Sequence, residues 1–250
     1  MASIGLTQGL EAAKAADRLR PVRIWLYCVA LMVMATLVVG GFTRMTGSGL
    51  SIATWKPISG VIPPLSDAAW QAEFANYRKI PQYLVDNPHM TMAGFQAIFW
   101  PEWTHRLLDR LIGLVFLVPF LVFLVQRRLT RRLIGPLALL FCAGALEGVI
   151  GWWMVTSGIE TSTLTSVSQY RLATHLCTAL LLFLAMIWVA RSLEPGEADP
   201  VAARTKRWPI AILMVLIFCQ IAMGAFVAGL HAGQGYNTWP LMDGALIPSG

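Results

Sequence analysis

Long apolar runs alternate with polar segments along this chain. The runs cover roughly residues 24–43, 103–125, 133–155, 170–190 and 209–230. Each approaches or exceeds the roughly 18–20 apolar residues that carry a helix across the hydrocarbon of a bilayer. The pattern predicts an all-α, polytopic membrane helix bundle. The polar segments between the runs fall into two kinds. Lys14, Arg18, Arg20 and Arg23 precede the first run, Arg127, Arg128, Arg131 and Arg132 follow the second, and Arg191, Arg204, Lys206 and Arg207 precede the fifth. Segments 156–169 and 231–250 hold no Lys or Arg, and the long 44–101 segment holds only Arg44, Lys56, Arg78 and Lys79. Basic residues collect on the cytoplasmic side of membrane proteins. The expected order is therefore a cytoplasmic tail (1–23), four spans (24–190) with an outer segment at 44–101, a cytoplasmic linker (191–208), and a fifth span with a second outer segment (209–250).

Composition agrees. The 250 residues are 56% hydrophobic and only 13% charged, where a soluble domain carries about 25% charged residues. The net charge of +6 does not indicate nucleic-acid binding, because the basic residues sort by membrane side. The basic tail and first run read as a signal anchor rather than a cleaved leader. Cys28, Cys142, Cys177 and Cys219 all fall inside spans, so no outer pair is offered for a disulfide.

The 44–101 segment is expected to fold as a cap on the outer face. Its stretch DAAWQAEFANYRKI reads as a short helix, with Ser66 or Asp67 as N-cap. Aromatic residues suited to the membrane interface run through it. The chain also repeats itself. Residues 40–64 lie over 224–248 without a gap, matching Gly40 with Gly224, Phe42 with Phe226, Gly49 with Gly233, Thr54-Trp55 with Thr238-Trp239, Gly60 with Gly244 and Pro64 with Pro248. The fifth span thus reads as the first helix of a second, parallel four-helix unit. The expectation is that the chain stops before that unit is complete.

The stretch PEWTHRLLDR (101–110) puts Glu102, His105, Arg106, Asp109 and Arg110 at the head of the second run. A charge at the bilayer centre costs about 2.5–3.5 kcal/mol on insertion scales, so these groups need partners or a polar cavity. Helical spacing lets Glu102 pair with Arg106, and Arg106 with Asp109. His105 and His175 lie near the outer ends of spans two and four, which run parallel, so their rings can share a depth. Two imidazoles facing each other across a bundle make a bis-axial haem site. Arg106, Arg110 and Arg171 offer forks for haem propionates. The bland alternative is an interfacial ion-pair cluster that sets helix depth. Glu147 in the third run is a further intramembrane acid, readable either as part of the site or as a helix–helix hydrogen bond. His89 and His231 read as ordinary loop residues. Zinc-type Cys/His spacings and phosphate-binding glycine loops are absent.

These motifs resemble the haem A synthase family. EWTHR (102–106) is similar to its Glu-x-x-His-Arg signature. WWMVTSG followed by SQYRLATHL resembles its third-to-fourth helix connection and second histidine. TRMTGSGLSIATWKPISGVIPPLS and AGLHAGQGYNTWPLMDG resemble its two outer segments. The resemblance, nearest to the alphaproteobacterial and mitochondrial branch, implies eight helices in two repeats and a bacterial inner-membrane setting. It implies oxidation of the haem O methyl group to the formyl group of haem A, by successive hydroxylations and loss of water, for cytochrome oxidase assembly. His105 and His175 become the histidine pair of the substrate half, and Glu102 the acid beside the reacting methyl. Haem b, the cofactor, is expected mainly in the second repeat, so the resemblance implies that this chain alone lacks activity. A haem O-forming farnesyltransferase is the implied delivery partner, membrane lipid surrounds the chain, and a homo-oligomer is compatible with the pattern. The family pattern has Gly at Asp109, Gln at Glu147, Pro at Gln169 and Glu at Gly47. Two other functions share a bis-histidine bundle: a haem b electron-transfer protein and a haem-delivery assembly factor. Neither needs Glu102 beside the ligand.

Overall fold

The computed structural model describes residues 2–160, 164–194, 200–235 and 237–247, with backbone alone at 2–17 and 200–204. The side chains of Lys14 and Arg204, linker residues 195–199 and Pro248 of the repeat lie outside the described residues. The long helices are α1 (Ala2–Met45), α4 (Met92–Val125), α5 (Arg131–Ile159), α6 (Gln169–Ser192) and α7 (Pro200–Gly229). Short helices α2 (Asp67–Tyr77), α3 (Pro81–Val85) and α8 (Ala232–Gly235) lie in the connections. No strand longer than an isolated bridge occurs among the described residues. Five helices are long and apolar enough to cross a membrane, and the chain is a multi-pass membrane protein.

Local chemistry sets the helix starts. Ser66 accepts from Ala69 N at 3.2 Å, as its N-cap position predicts. Thr91 does the same for Gly94 N at 3.2 Å. The second crossing helix therefore begins at Met92, not near residue 103, because Thr91 supplies the cap that Trp103 has no means to supply. PEWTHRLLDR consequently sits inside a long helix rather than at its head.

The first four crossing helices form a square. α1 packs on α4 and α6, and α5 packs on the same two. α4 and α6 therefore occupy opposite corners, and α7 docks against α6. Two apolar clusters hold the square together. One joins Trp25, Leu26, Val29 and Val33 of α1 to Phe116, Phe120, Leu137, Leu140, Met186 and Ala190. The other gathers Leu50, Ile52, Tyr77, Ile80, Phe95, Phe99 and Val155 under the 46–91 segment. Between them lies a layer, from Leu140 to Val155 along α5, in which no apolar side chain of the square is buried apart from its edge residues. At 1.5 Å rise per residue that layer is about 22 Å tall.

The 46–91 segment folds as a cap over one end. Asn87 donates to the Tyr77 hydroxyl at 3.0 Å, Tyr77 donates to Gln82 Oε1 at 3.1 Å, and Gln82 donates to Gly47 O at 3.0 Å. Burial pushes the Tyr77 phenol above its ordinary pKa. Gly47 has φ +65°, a left-handed conformation that glycine adopts without strain. At the opposite end, Arg18 donates to Arg127 O and Tyr27 to Glu194 Oε1. Three of the basic segments thus meet at one end.

The repeat register reappears in the backbone. α1 ends at Met45 and α7 at Gly229. Left-handed Gly47 is followed by a 3-10 turn, Ser48–Leu50, and left-handed His231 by α8. Arg44 donates to Ala228 O, its partner at an offset of 184 residues, and lies 2.8 Å from His231 Nε2. His231 is therefore no idle loop residue: it helps join the ends of α1 and α7.

The 3-10 turn is seated by a missing side chain. A Cβ on Gly158 of α5 would come within 2.7 Å of Leu50 Cδ1 and 3.2 Å of Ser166 O. Gly158→Ala overpacks this contact and is expected to destabilise the protein by about 1–3 kcal/mol, read as a lower thermal midpoint in detergent.

Candidate functional site

The layer between the clusters is where the expected site residues lie. Glu102 is 3% exposed and accepts from Arg106 Nε at 2.7 Å. The two sit one turn apart on α4, as helical spacing predicts. The expected Arg106–Asp109 pair is not formed among the described residues. Arg106 Nη2 donates instead to Ile52 O at 2.8 Å, and its guanidinium lies 5.6 Å from the Trp152 ring centre. The loop laid over α4 offers carbonyls on the side away from Asp109, and the planar fork turns to them.

Arg110 is committed in the same way. It donates to Pro57 O at 2.9 Å, to Lys56 O at 2.7 Å and to Arg106 O at 2.7 Å. Trp103 Nε1 adds a bond to Gly60 O at 3.1 Å. These donors fasten the 52–60 loop across α4. Arg171 donates to Trp153 O at 2.7 Å and to Thr156 Oγ1 at 2.9 Å, and its guanidinium lies 4.7 Å from the Trp153 ring centre. The three arginines therefore hold the cap end of the layer together.

His105 on α4 and His175 on α6 project from opposite corners of the square. Asp109 is accessible to water although protein surrounds it, and its carboxylate lies within electrostatic reach of both rings. Glu147 of α5 comes to 2.7 Å from His175 Nδ1. Ion-pair distance is met, but hydrogen-bond geometry is not: both atoms are buried without a hydrogen-bond partner among the described residues.

Two glycines let the rings lie against helix backbone, and the sequence reading passed over both. A Cβ on Gly40 of α1 would come within 3.0 Å of His105 Nε2. A Cβ on Gly151 of α5 would come within 2.9 Å of His175 Cε1. Gly151 follows Glu147 by four residues, so one face of α5 carries both. That spacing was the available signal. His89 takes no part in the layer. A separate cleft of about 620 Å³ lies at the far end, lined by Arg20, Trp25, Phe123 and Arg128, away from the histidines.

His105 and His175 come from helices at opposite corners of the square, each with a glycine beside its ring, and two imidazoles are a donor set that could hold a haem iron. Such an iron needs no third protein ligand. Among the described residues no group of three or more His, Cys, Asp or Glu is arranged for a bare metal ion.

Gly151→Ala is expected to displace the His175 ring and weaken haem binding about tenfold or more, measured as haem per protein after titration. Gly148→Ala, on the same helix with nothing within 4 Å, should leave that ratio unchanged. Equal loss in both variants would remove the glycine cradle from the account.

A family model described as COX15-CtaA, cytochrome oxidase assembly protein, matches residues 23–250. The chain is 54% identical over 230 residues to "Heme A synthase" of Allorhizobium ampelinum, covering 92% of this chain and 62% of that protein. It is 49% identical over 240 residues to "Heme A synthase" of Rhizobium rhizogenes, covering 96% and 65%. It is 52% identical over 235 residues to "Heme A synthase" of Caulobacter sp. strain K31, covering 93% and 67%. The chain thus spans about two thirds or less of the length of these relatives. No solved structure matches it. With its motifs, bundle and histidine layer in one register, the chain belongs to the cytochrome oxidase assembly protein family COX15-CtaA.

Proposed function

We propose that this chain carries the substrate-binding half of a haem A synthase, which oxidises the methyl group of haem O to the formyl group of haem A. The observation that carries the reading is the placement of His105 and His175 on helices at opposite corners of the square, in the stretch between its two apolar clusters. The names of the curated relatives support it. The electron-transfer and delivery readings share the histidines but call for no carboxylate beside a ligand.

The residues divide the work. His105 and His175 hold the substrate's iron and so fix its porphyrin in the layer. Arg106 keeps Glu102 in one place through the 2.7 Å bond. A carboxylate in a water-poor site stabilises positive charge that develops on the methyl carbon as it is oxidised. The loop fastened by Arg106 and Arg110 closes the cap end and keeps water from the reacting edge. Donors of Arg171 and Arg106 not committed to carbonyls meet the propionates. Haem b, bound in a second repeat, supplies one-electron transfer. The clustering of basic segments at the far end supports an N-terminus in the cytoplasm and a cap on the outer face of a bacterial inner membrane. A farnesyltransferase that makes haem O is the fitting donor, since its product is apolar and passes best within the membrane.

The test is co-expression with a haem O source, followed by extraction and mass analysis of bound haem. The chain alone is compared with the chain extended by three further helices of a second repeat. Haem O on the short chain and haem A from the extended one are the expected results. Glu102→Gln in the extended form should retain haem O and lower formyl haem formation by about 10²–10³-fold. Unmodified haem b alone in both forms would overturn the synthase reading in favour of an electron carrier.

A further inference from the structure

Glu147 is an acid in the middle of a membrane-crossing helix, in the layer where no apolar side chain is buried. Its Oε1 lies 2.7 Å from His175 Nδ1. Both atoms are buried, and neither has a hydrogen-bond partner among the described residues. The two atoms are at ion-pair distance without the alignment of a hydrogen bond. A carboxylate oxygen accepts, so a small turn of the ring that completes the bond makes Nδ1 the donor. Nε2 then keeps its lone pair.

The setting of the ring agrees. Gly151, one turn beyond Glu147, presents bare backbone to His175, and a Cβ there would meet Cε1 at 2.9 Å. One face of α5 thus supplies a flat seat for the ring and an acceptor for one of its nitrogens. The other histidine is placed differently. His105 lies with Nε2 against Gly40 of α1, and among the described residues it has no carboxylate within ion-pair distance. Asp109 lies within electrostatic reach of both rings and acts more on His105, one turn before it on α4; Glu147 is the carboxylate at ion-pair distance from His175.

We propose that Glu147 is a positioning residue for a haem ligand. It fixes the Nδ1–H tautomer of His175, holds the ring on Gly151, and leaves Nε2 to bind iron. By accepting the Nδ1 proton it also makes His175 a stronger donor than it would be without the carboxylate. A carboxylate behind a ligating imidazole raises its basicity, which favours ferric over ferrous iron and lowers the potential. This rests on the reading of His105 and His175 as haem ligands.

The experiment is haem titration of the full chain in detergent, with potentiometry and low-temperature EPR on the wild type, Glu147→Gln, Glu147→Asp and His175→Ala. Glu147→Gln keeps an acceptor of the same shape but no charge. It should bind haem at wild-type stoichiometry with a more positive midpoint potential. The ferric-to-ferrous affinity ratio should fall about tenfold, equivalent to about 59 mV for a one-electron couple. Glu147→Asp should return the potential towards the wild-type value. Wild-type potential and EPR g-values in Glu147→Gln would overturn the proposal while leaving haem ligation intact. Should Glu147→Gln fail to accumulate, a potential in Glu147→Asp displaced as far as that of His175→Ala would equally overturn it. The ligand reading fails separately, if the wild type takes up no haem or His175→Ala keeps the wild-type low-spin spectrum.

Discussion

A hydrocarbon bilayer offers no hydrogen bonds, so every polar group placed inside the helix bundle must be matched by the protein or by something the protein holds. α4 carries Glu102, His105, Arg106, Asp109 and Arg110 in barely two turns. Glu102 is matched by Arg106. The remaining donors of Arg106 and Arg110 turn to the carbonyls of Ile52, Lys56 and Pro57. The need to satisfy two guanidinium groups thus draws the 52–60 loop across the helix. The loop in turn closes one end of the bundle.

That closure leaves an interior layer with few apolar partners. Membrane bundles normally pack their axis with side chains, because an unfilled space forfeits dispersion contacts along its whole lining. Here the apolar residues withdraw into two clusters, one at each end, and the rings of His105 and His175 stand between them on opposite helices. Glycines at 40 and 151 enlarge the space where those rings lie. The same economy of space explains Gly158, where Leu50 seats the cap against α5.

The repeat gives a further physical constraint. Equivalent chain positions meet where Arg44 donates to Ala228 O, as happens near an axis relating two like units. The left-handed turns at Gly47 and His231 end α1 and α7 in the same way. His231 is strained relative to a glycine there, and its ring lies beside Arg44. A loop histidine by sequence is thus part of a helix junction in three dimensions.

Much of this was legible along the chain, because hydrophobic periodicity and charge placement are local properties. The crossing helices, the Ser66-capped helix of the cap, the Glu102–Arg106 pair and the two candidate ligands all follow from spacing within single segments. Helix neighbours do not. Only the packed bundle put α4 and α6, with His105 and His175, at opposite corners. Only the packed bundle brought Glu147 to His175 and turned Arg106 away from Asp109. Those outcomes depend on which helix faces meet and which carbonyls a folded loop presents. Sequence determined which residues had unmet polar and apolar needs; tertiary structure decided which partner met each one, because the partners lie on different helices.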